Sequence, residues 1–472
     1  MNMMNARAIF LTAVALAGAA ALATARPGME PASSPSPGPR GIGPDVITGT
    51  VANTYGSYDM NYYGQANGIG GFSFATQSCN IGDEDAMWFG GTSDVPTIIM
   101  NAYRYKDGVF EQIGLAWMKH SFCALSENES YCGNCTAGHD CDWLATGCAD
   151  TYSSGLNGDA VAPRTDINPS TGEYPYPFSI SPSGSGTMRG KLQIDLDKTD
   201  PSQNSGARYF LEGYYMSPDD TAAGNHMNNA SYREVNFNSS TNTSPVAGTE
   251  RQKSAMFAWK AVGGGITLKS FPTEEAAGSG LVYLGYKATD LGAGWYHYQY
   301  AVQNLNSHRG VQSFNLEVPD CIDVENFTFT DVDYHSGEGV EGTDWEPVHA
   351  SGTLSWSTET YNQNPDANAI RWGSMYTFGF DANRGPENGE VSMDYWRSGP
   401  DSMIIGTIGV PWDDCQDCSS DINGDGTTNV DDLLGILAFW GHAGEHPSDV
   451  NGDLLVNVDD LLIIIGGWGP CG

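Results

Sequence analysis

Positive charge is what this chain has least of. Its 472 residues carry 21 Lys and Arg against 57 Asp and Glu, a formal charge of −36. Such a surface repels phosphate backbones and anionic headgroups, which argues against nucleic acid or acidic membrane as partners. Long apolar runs are almost as scarce. The one exception, Ala8 to Leu22, is short for a bilayer span, so no transmembrane segment is expected. Motifs that announce a reaction are missing too. There is no Gly-x-Ser-x-Gly elbow, no His-Glu-x-x-His, no P-loop and no Gly-x-Gly-x-x-Gly. Before Asp432 there is also no convincing amphipathic helix, which sets helical and α/β architectures aside for most of the length.

What is present divides the chain into stretches. Residues 1–25 read as a secretory signal: Arg7 supplies the positive start, Ala8 to Leu22 the apolar run and Ala23-Thr24-Ala25 the small-x-small cleavage pattern. Residues 26–43 carry Pro27, Pro31, Pro35, Pro37 and Pro39 and read as an extended linker. An exported, extracellular or cell-surface protein is expected.

From about Asp45 the texture is β. In Lys191 to Asp197, Leu192, Ile194 and Leu196 share one face; Tyr296, Tyr298, Tyr300 and Val302 do the same, as do Tyr376, Phe378 and Phe380. Turn signals recur at Lys106-Asp107-Gly108, Asn157-Gly158-Asp159 and Glu387-Asn388-Gly389. With 59 glycines and only 17% charged residues, this reads as a mainly β protein of one or two antiparallel β-sandwich domains. A boundary in the polar stretch Asn236 to Thr249 gives a Cys-bearing β-rich domain at 44–245 and an aromatic-rich sandwich at 246–412; one composite sandwich remains open.

The ten cysteines fit disulfides in an oxidising compartment. Five lie between Cys123 and Cys148, with Cys79 a sixth partner, and Cys415, Cys418 and Cys471 bracket the C-terminal stretch; a bridge from Cys415 or Cys418 to Cys471 would staple its ends. Cys132-x-x-Cys135-x-x-x-His139-x-Cys141 also has zinc-ligand spacing, but disulfides are the better reading in an exported chain.

Residues 413–472 hold the most specific signal. Asp421-Ile-Asn423-Gly-Asp425-Gly426-Thr427-Thr-Asn429-Val-Asp431-Asp432 returns 28 residues later as Asp449-Val-Asn451-Gly-Asp453-Leu454-Leu455-Val-Asn457-Val-Asp459-Asp460. Both copies place short oxygen-bearing side chains at loop positions 1, 3, 5, 9 and 12, with a backbone carbonyl at position 7. Hard cations such as calcium are held by this spacing. After each loop an apolar stripe follows at i, i+3, i+4, i+7: Leu433, Ile436, Leu437 and Trp440, then Leu461, Ile464, Ile465 and Trp468. Two loop–helix units can bury these stripes against each other. Position 6 is Gly426 in the first loop and Leu454 in the second, and a left-handed turn there costs a side-chain-bearing residue roughly 1–2 kcal/mol, so the second site is expected to be the weaker.

This tandem resembles a type I dockerin from about Cys415 to Gly472. The resemblance implies a small all-α module folded around two calcium ions, held by Asp421, Asn423, Asp425, Thr427 (backbone), Asn429 and Asp432, then Asp449, Asn451, Asp453, Leu455 (backbone), Asn457 and Asp460. It also implies a cohesin-like docking partner and an association with extracellular polysaccharide catabolism. Where the family often carries basic residues late in each helix, this chain has Phe439-Trp440 and Gly467-Trp468. The body resembles uncharacterised secreted bacterial β proteins at Asp331-Val-Asp333-Tyr334-His335-Ser-Gly337 and Ala369-Ile-Arg371-Trp372-Gly373, which implies no activity.

Candidate chemistry in the body is sparse. Asp331, Asp333 and His335 alternate along an expected strand and would share a face, with Glu338, Glu341, Asp344 and Glu346 in the loop beyond. Such a set suits a metal or acid–base work; it equally suits a solvated strand end. Asp83-Glu84-Asp85 and Asp219-Asp220 are two further acidic clusters, and a glycosidase needs two carboxyls roughly 5–10 Å apart across a cleft. Two readings therefore stand: a hydrolase of O-glycosyl bonds, or a non-catalytic binding or structural protein assembled through the C-terminal module.

Overall fold

The strand pairs that build the two halves of the body are antiparallel throughout the described residues. The structure, a computed structural model, describes residues 42–136, 140–413 and 418–470. The signal and nearly all of the linker, along with His139, Cys415 and Cys471, lie outside the described residues.

In the first half, one long sheet runs in the order Thr243–Glu250, Ala230–Phe237, Arg208–Met216, Thr97–Lys106, Val109–Leu115, Leu192–Asp195, Ile69–Phe74, Met60–Ala66. A short sheet of Val46–Val51, Thr76–Asn80 and Ala149–Tyr152 accompanies it. Alternation sets the faces: Leu192 and Ile194 are buried with Phe72, Phe74, Met100 and Leu211. Leu196, expected to continue that strand, instead opens a 3-10 turn, Leu196–Lys198. The hairpin Thr97–Lys106/Val109–Leu115 turns at Asp107 (φ 51°) and Gly108 (φ 92°), where the left-handed backbone suits an Asp-Gly pair.

In the second half, two five-stranded sheets oppose each other. One runs Thr267–Glu274, Ser279–Gly292, Trp295–Asn304, Met375–Ala382, Val324–Thr330; the other runs Pro347–Ala350, Thr353–Ser357, Ser313–Glu317, Pro386–Asp394, Met403–Pro411. The expected stripes fill the space between: Tyr298, Tyr300 and Val302 meet Tyr376, Phe378 and Phe380, and Trp356 and Phe314 close on them from the facing sheet. Glu387-Asn388-Gly389 is not a turn. It lies inside the strand Pro386–Asp394, because its neighbours pair continuously with Met403–Pro411.

The chain crosses from the first half to the second after the strand Thr243–Glu250, through the helix Met256–Val262, whose Met256 and Trp259 are buried between Phe110, Phe210, Ala301 and Met375. The crossing also has a polar core. The buried Glu212 carboxylate accepts from Asn101 Nδ2 (3.0 Å), Tyr103 OH (2.9 Å), the Ala255 N–H (2.6 Å) and Gln303 Nε2 (3.3 Å).

Cysteines bear out the disulfide reading. Cys79 bonds to Cys132 and Cys135 to Cys148, so Cys132 and Cys135 serve different bridges and do not form a zinc pair. Cys321 and Cys418 are also disulfide-bonded, while Cys123 and Cys141 are free thiols. No helix among the described residues is long and apolar enough to cross a membrane.

The C-terminal stretch is not all α. It holds two nine-residue helices, Val430–Ala438 and Val458–Gly466, and a two-residue strand, Thr427–Thr428, paired to Gly469–Pro470. Ile436, Val456 and Ile464 form its small core, ringed by Ile422, Leu433, Val450 and Leu461.

Candidate functional site

The two repeat loops share most of their hydrogen bonds. In the first, Asp421 Oδ1 accepts the N–H groups of Gly424 (2.9 Å) and Asp425 (3.2 Å), and Oδ2 that of Gly426 (2.7 Å). In the second, Asp449 accepts from Asp453 (3.1 Å) and Leu454 (2.8 Å). Asn423 and Asn451 Oδ1 accept from Asp425 and Asp453 at 2.9 and 2.8 Å. Position 12 closes each loop: Asp432 accepts from Asn423 (3.2 Å) and Asn429 (2.8 Å), and Asp460 from Asn451 (3.1 Å) and Asn457 (2.8 Å). Asn429 and Asn457 cap the helices and complete a capping box with Asp432 and Asp460. Position 6 is left-handed in both, with φ 84° at Gly426 and 70° at Leu454, so the leucine carries the strain that its position implies.

The loops offer oxygen donors only: carboxylates of Asp421, Asp425 and Asp432, amide oxygens of Asn423 and Asn429, and the Thr427 carbonyl, with the same set from Asp449 to Asp460. Among the described residues no three His, Cys, Asp or Glu side chains stand close enough to hold a metal ion by themselves. Amide and carbonyl oxygens would have to complete the shell, and that mixed set is what a hard cation such as calcium accepts. In donor chemistry and chain path the residues fit calcium.

The helices depart from expectation on their apolar side. Ile436 and Ile464 are buried, but the rest of each stripe is not. Leu434, Leu437 and Trp440 are 50–54% exposed, and the equivalent Leu462, Ile465 and Trp468 are 53–59% exposed. Val430, Val458, Leu454, Leu455 and Phe439 add to this surface. A core of three residues is too small to cover helices that are apolar nearly all round. The signal was in the sequence, since Val430, Leu433, Leu434, Ile436 and Leu437 do not fit one stripe.

Asp331, Asp333 and His335 are not brought together on a strand. The strand Val324–Thr330 ends before them. His335 turns inward, its Nε2 2.9 Å from the Leu115 carbonyl and its Nδ1 2.9 Å from Ser336 Oγ, while its own carbonyl accepts Trp117 Nε1 (2.9 Å). Burial pushes the ring down to about 4, so it is neutral at physiological pH and ties the loop to the first sheet. Asp331 accepts from Asn368 Nδ2 (2.5 Å), and burial, with Asp333 and Asp344 nearby, pushes its carboxyl up to about 6.

The other acidic clusters do converge. Glu84, Asp85 and Asp219 line one open cleft of about 620 Å³, with Trp143 and Met87 in its wall. Asp219 is held by the Met87 N–H (2.6 Å) and Asp85 by the Thr146 N–H (2.8 Å). Asp220, by contrast, is fully buried beneath it and accepts from Val46 N–H (2.9 Å) and Asn229 Nδ2 (2.7 Å), a structural role.

No protein-family model matches the chain, and no curated protein matches it. Among solved structures, it is similar to an exo-β-D-glucosaminidase, CsxA, over 72% of this chain and 25% of that one, at 9% identity and a TM-score of 0.16. The Amycolatopsis orientalis exo-chitosanase CsxA is similar over the same shares, at 8% identity and a TM-score of 0.15. The chain spans about a quarter of the length of the solved chains it matches, and a likeness this faint carries no argument.

Proposed function

We propose that this is an exported β protein whose C-terminal repeats fold around two calcium ions and dock it onto a partner. One observation carries the reading: the apolar surface of the two helices is exposed and doubled at the same 28-residue offset as the loops. A small acidic module that leaves this much leucine, isoleucine and tryptophan in water is built to cover it with another protein. The dockerin resemblance makes a cohesin-like domain the partner. Calcium would be held by Asp421, Asn423, Asp425, Thr427, Asn429 and Asp432 and by their counterparts from Asp449 to Asp460. Its positive charge would offset the carboxylates of each loop and fix the helices whose caps those loops supply.

Calorimetric titration of the full chain should show two calcium equivalents, lost on combining Asp421→Ala with Asp449→Ala. A panel of purified type I cohesins should then retain the chain in calcium, and release it in chelator or in a Leu434→Glu/Leu462→Glu variant. No calcium uptake by the folded chain would sink the reading.

A second reading, hydrolysis of O-glycosyl bonds, has the Glu84/Asp85/Asp219 cleft in its favour. Its size suits a sugar, and Trp143 adds an aromatic side chain to its wall. Reducing-sugar release from a polysaccharide panel, abolished by Glu84→Gln, is the expected outcome. Release that survives Glu84→Gln places the chemistry elsewhere.

A further inference from the structure

In a chain this acidic, three arginines line a single cavity. Arg164, Arg371 and Arg397 border a partly open space of about 30 Å³, with Trp372, Trp396 and His308 beside them. That volume exceeds the roughly 10–15 Å³ one water needs. The walls come from both halves: Arg164 follows the first sheet's strands, while the others belong to the second pair of sheets.

None of these arginines forms an ion pair with a carboxylate among the described residues. Arg164 is spent on carbonyls, those of Ala116 (2.6 Å) and Met100 (3.0 Å), and on Asn101 Oδ1 (2.8 Å). Arg371 gives one nitrogen to the carbonyls of Pro365 and Ala367, both at 2.9 Å. Arg371 and Arg397 stack on Trp396, 4.1 and 4.6 Å from its ring, and Arg397 also lies 3.9 Å from the Tyr361 ring. The stacking fixes two guanidinium planes without using their N–H groups.

Five buried groups are left over. Arg371 Nε, Arg397 Nε, Trp372 Nε1, Trp396 Nε1 and the Tyr334 hydroxyl, which also lines the cavity, have no hydrogen-bond partner. The two tryptophans are 4% and 3% exposed, so bulk water does not reach their N–H groups. Orphaned buried donors are costly, each by about 1–3 kcal/mol, and five around one cavity point to an acceptor that belongs there. His308 adds no positive charge: burial, then the Arg397 charge, holds its ring down to about 4. Glu338 is the nearby carboxylate, with Oε1 on the Thr165 N–H (2.7 Å) and Oε2 buried and unpartnered.

We propose that this arginine–tryptophan cavity binds the carboxylate of a small organic acid or of a uronic acid residue. The space admits a few heavy atoms, so it takes the acid group and leaves any remainder outside. A single negative charge suits it better than a dianion, because Glu338 and the net charge of the chain both oppose a second one. The site is separate from the C-terminal module and stands whether or not that module binds calcium.

The test uses the full chain at constant calcium, with acetate, D-galacturonate, galactose and sulfate as probes, read by tryptophan fluorescence and melting temperature. Acetate should bind and raise the melting temperature, while galactose should do neither. Arg397→Ala should weaken acetate at least tenfold. Trp396→Phe keeps the packing, removes one N–H and should weaken it severalfold, so it decides the matter if the arginine variant fails to fold. Binding of galacturonate as well as acetate makes the ligand a uronic acid; acetate alone makes it a free small acid. Absence of carboxylate binding by the folded wild type, unchanged binding in both variants, or sulfate bound as tightly as acetate overturns the proposal.

Discussion

At the scale of single residues, position decides what a side chain can do, and two positions make measurable claims. Leu454 sits at φ 70° where its counterpart is Gly426. Replacing it by glycine relieves roughly 1–2 kcal/mol of backbone strain, part of it offset by the freer unfolded chain. Leu454→Gly should therefore raise the second loop's calcium affinity roughly 3- to 10-fold, measured with the first loop silenced by Asp421→Ala. Asp331 is the other case. Its carboxyl is pushed up to about 6 by burial, so the folded state holds the proton more tightly than the unfolded one, and stability falls as pH rises from about 4 through 6. Asp331→Asn keeps an oxygen for Asn368 and removes the charge. It should stabilise the protein by roughly 1–2 kcal/mol at pH 8 and leave it unchanged at pH 4, as read from denaturant melts. His335 has the opposite sign: its contribution is present above its unfolded value near 6.5 and is lost as pH falls toward 4. Leu454's strain could be read from the repeat alone, because the other copy has glycine there. The inward turn of His335 could not, since alternation says which side chains share a face only while a strand lasts, and this one ends at Thr330.

At the scale of elements, Asp432 and Asp460 hold more of each loop than Asp425 and Asp453 do. Asp432 is buried and holds two loop N–H groups as part of a capping box, whereas Asp425 lies in the exposed loop and accepts the Thr427 N–H alone (3.0 Å). Asp432→Ala should cost about 1 kcal/mol in chelator, from the cap alone, and more in calcium; Asp425→Ala should cost less than that in chelator, with its main loss in calcium. Thermal melts of the full chain in both buffers separate the two. The strands were legible where apolar residues alternate on one covered face, as at Leu192 and Ile194 or Tyr376 to Phe380. The helices were legible in position but not in burial. Periodicity reports which residues are apolar, and only the number of available partners decides which of them are covered. Leu437 and Trp440 fit the stripe and lie in water because the core beneath ends at Ile436.

At the scale of the whole molecule, the parts that join distant segments were the least visible in the sequence. The Glu84/Asp85/Asp219 cleft and the arginine–tryptophan cavity each gather residues more than a hundred positions apart, and no local pattern marks them. The same holds for Glu212, whose four donors come from both halves of the body. Glu212→Leu would leave the Tyr103 hydroxyl and the Ala255 N–H buried without an acceptor, while Asn101 and Gln303 keep the Gly373 carbonyl and the Tyr103 hydroxyl, and it should lower the melting temperature by several degrees, with both halves still melting in one calorimetric transition. Removing everything after residue 250 should do worse, leaving a first half that stays soluble only as a loosely packed state. The arrangement also bears on the order in which the chain is made. A ribosome releases the strands around Glu212 well before it releases Ala255 and Gln303. Until those arrive, a carboxylate destined for the interior has only two of its four donors, those of Asn101 and Tyr103. The second half thus supplies the last two bonds that the interior of the first one uses.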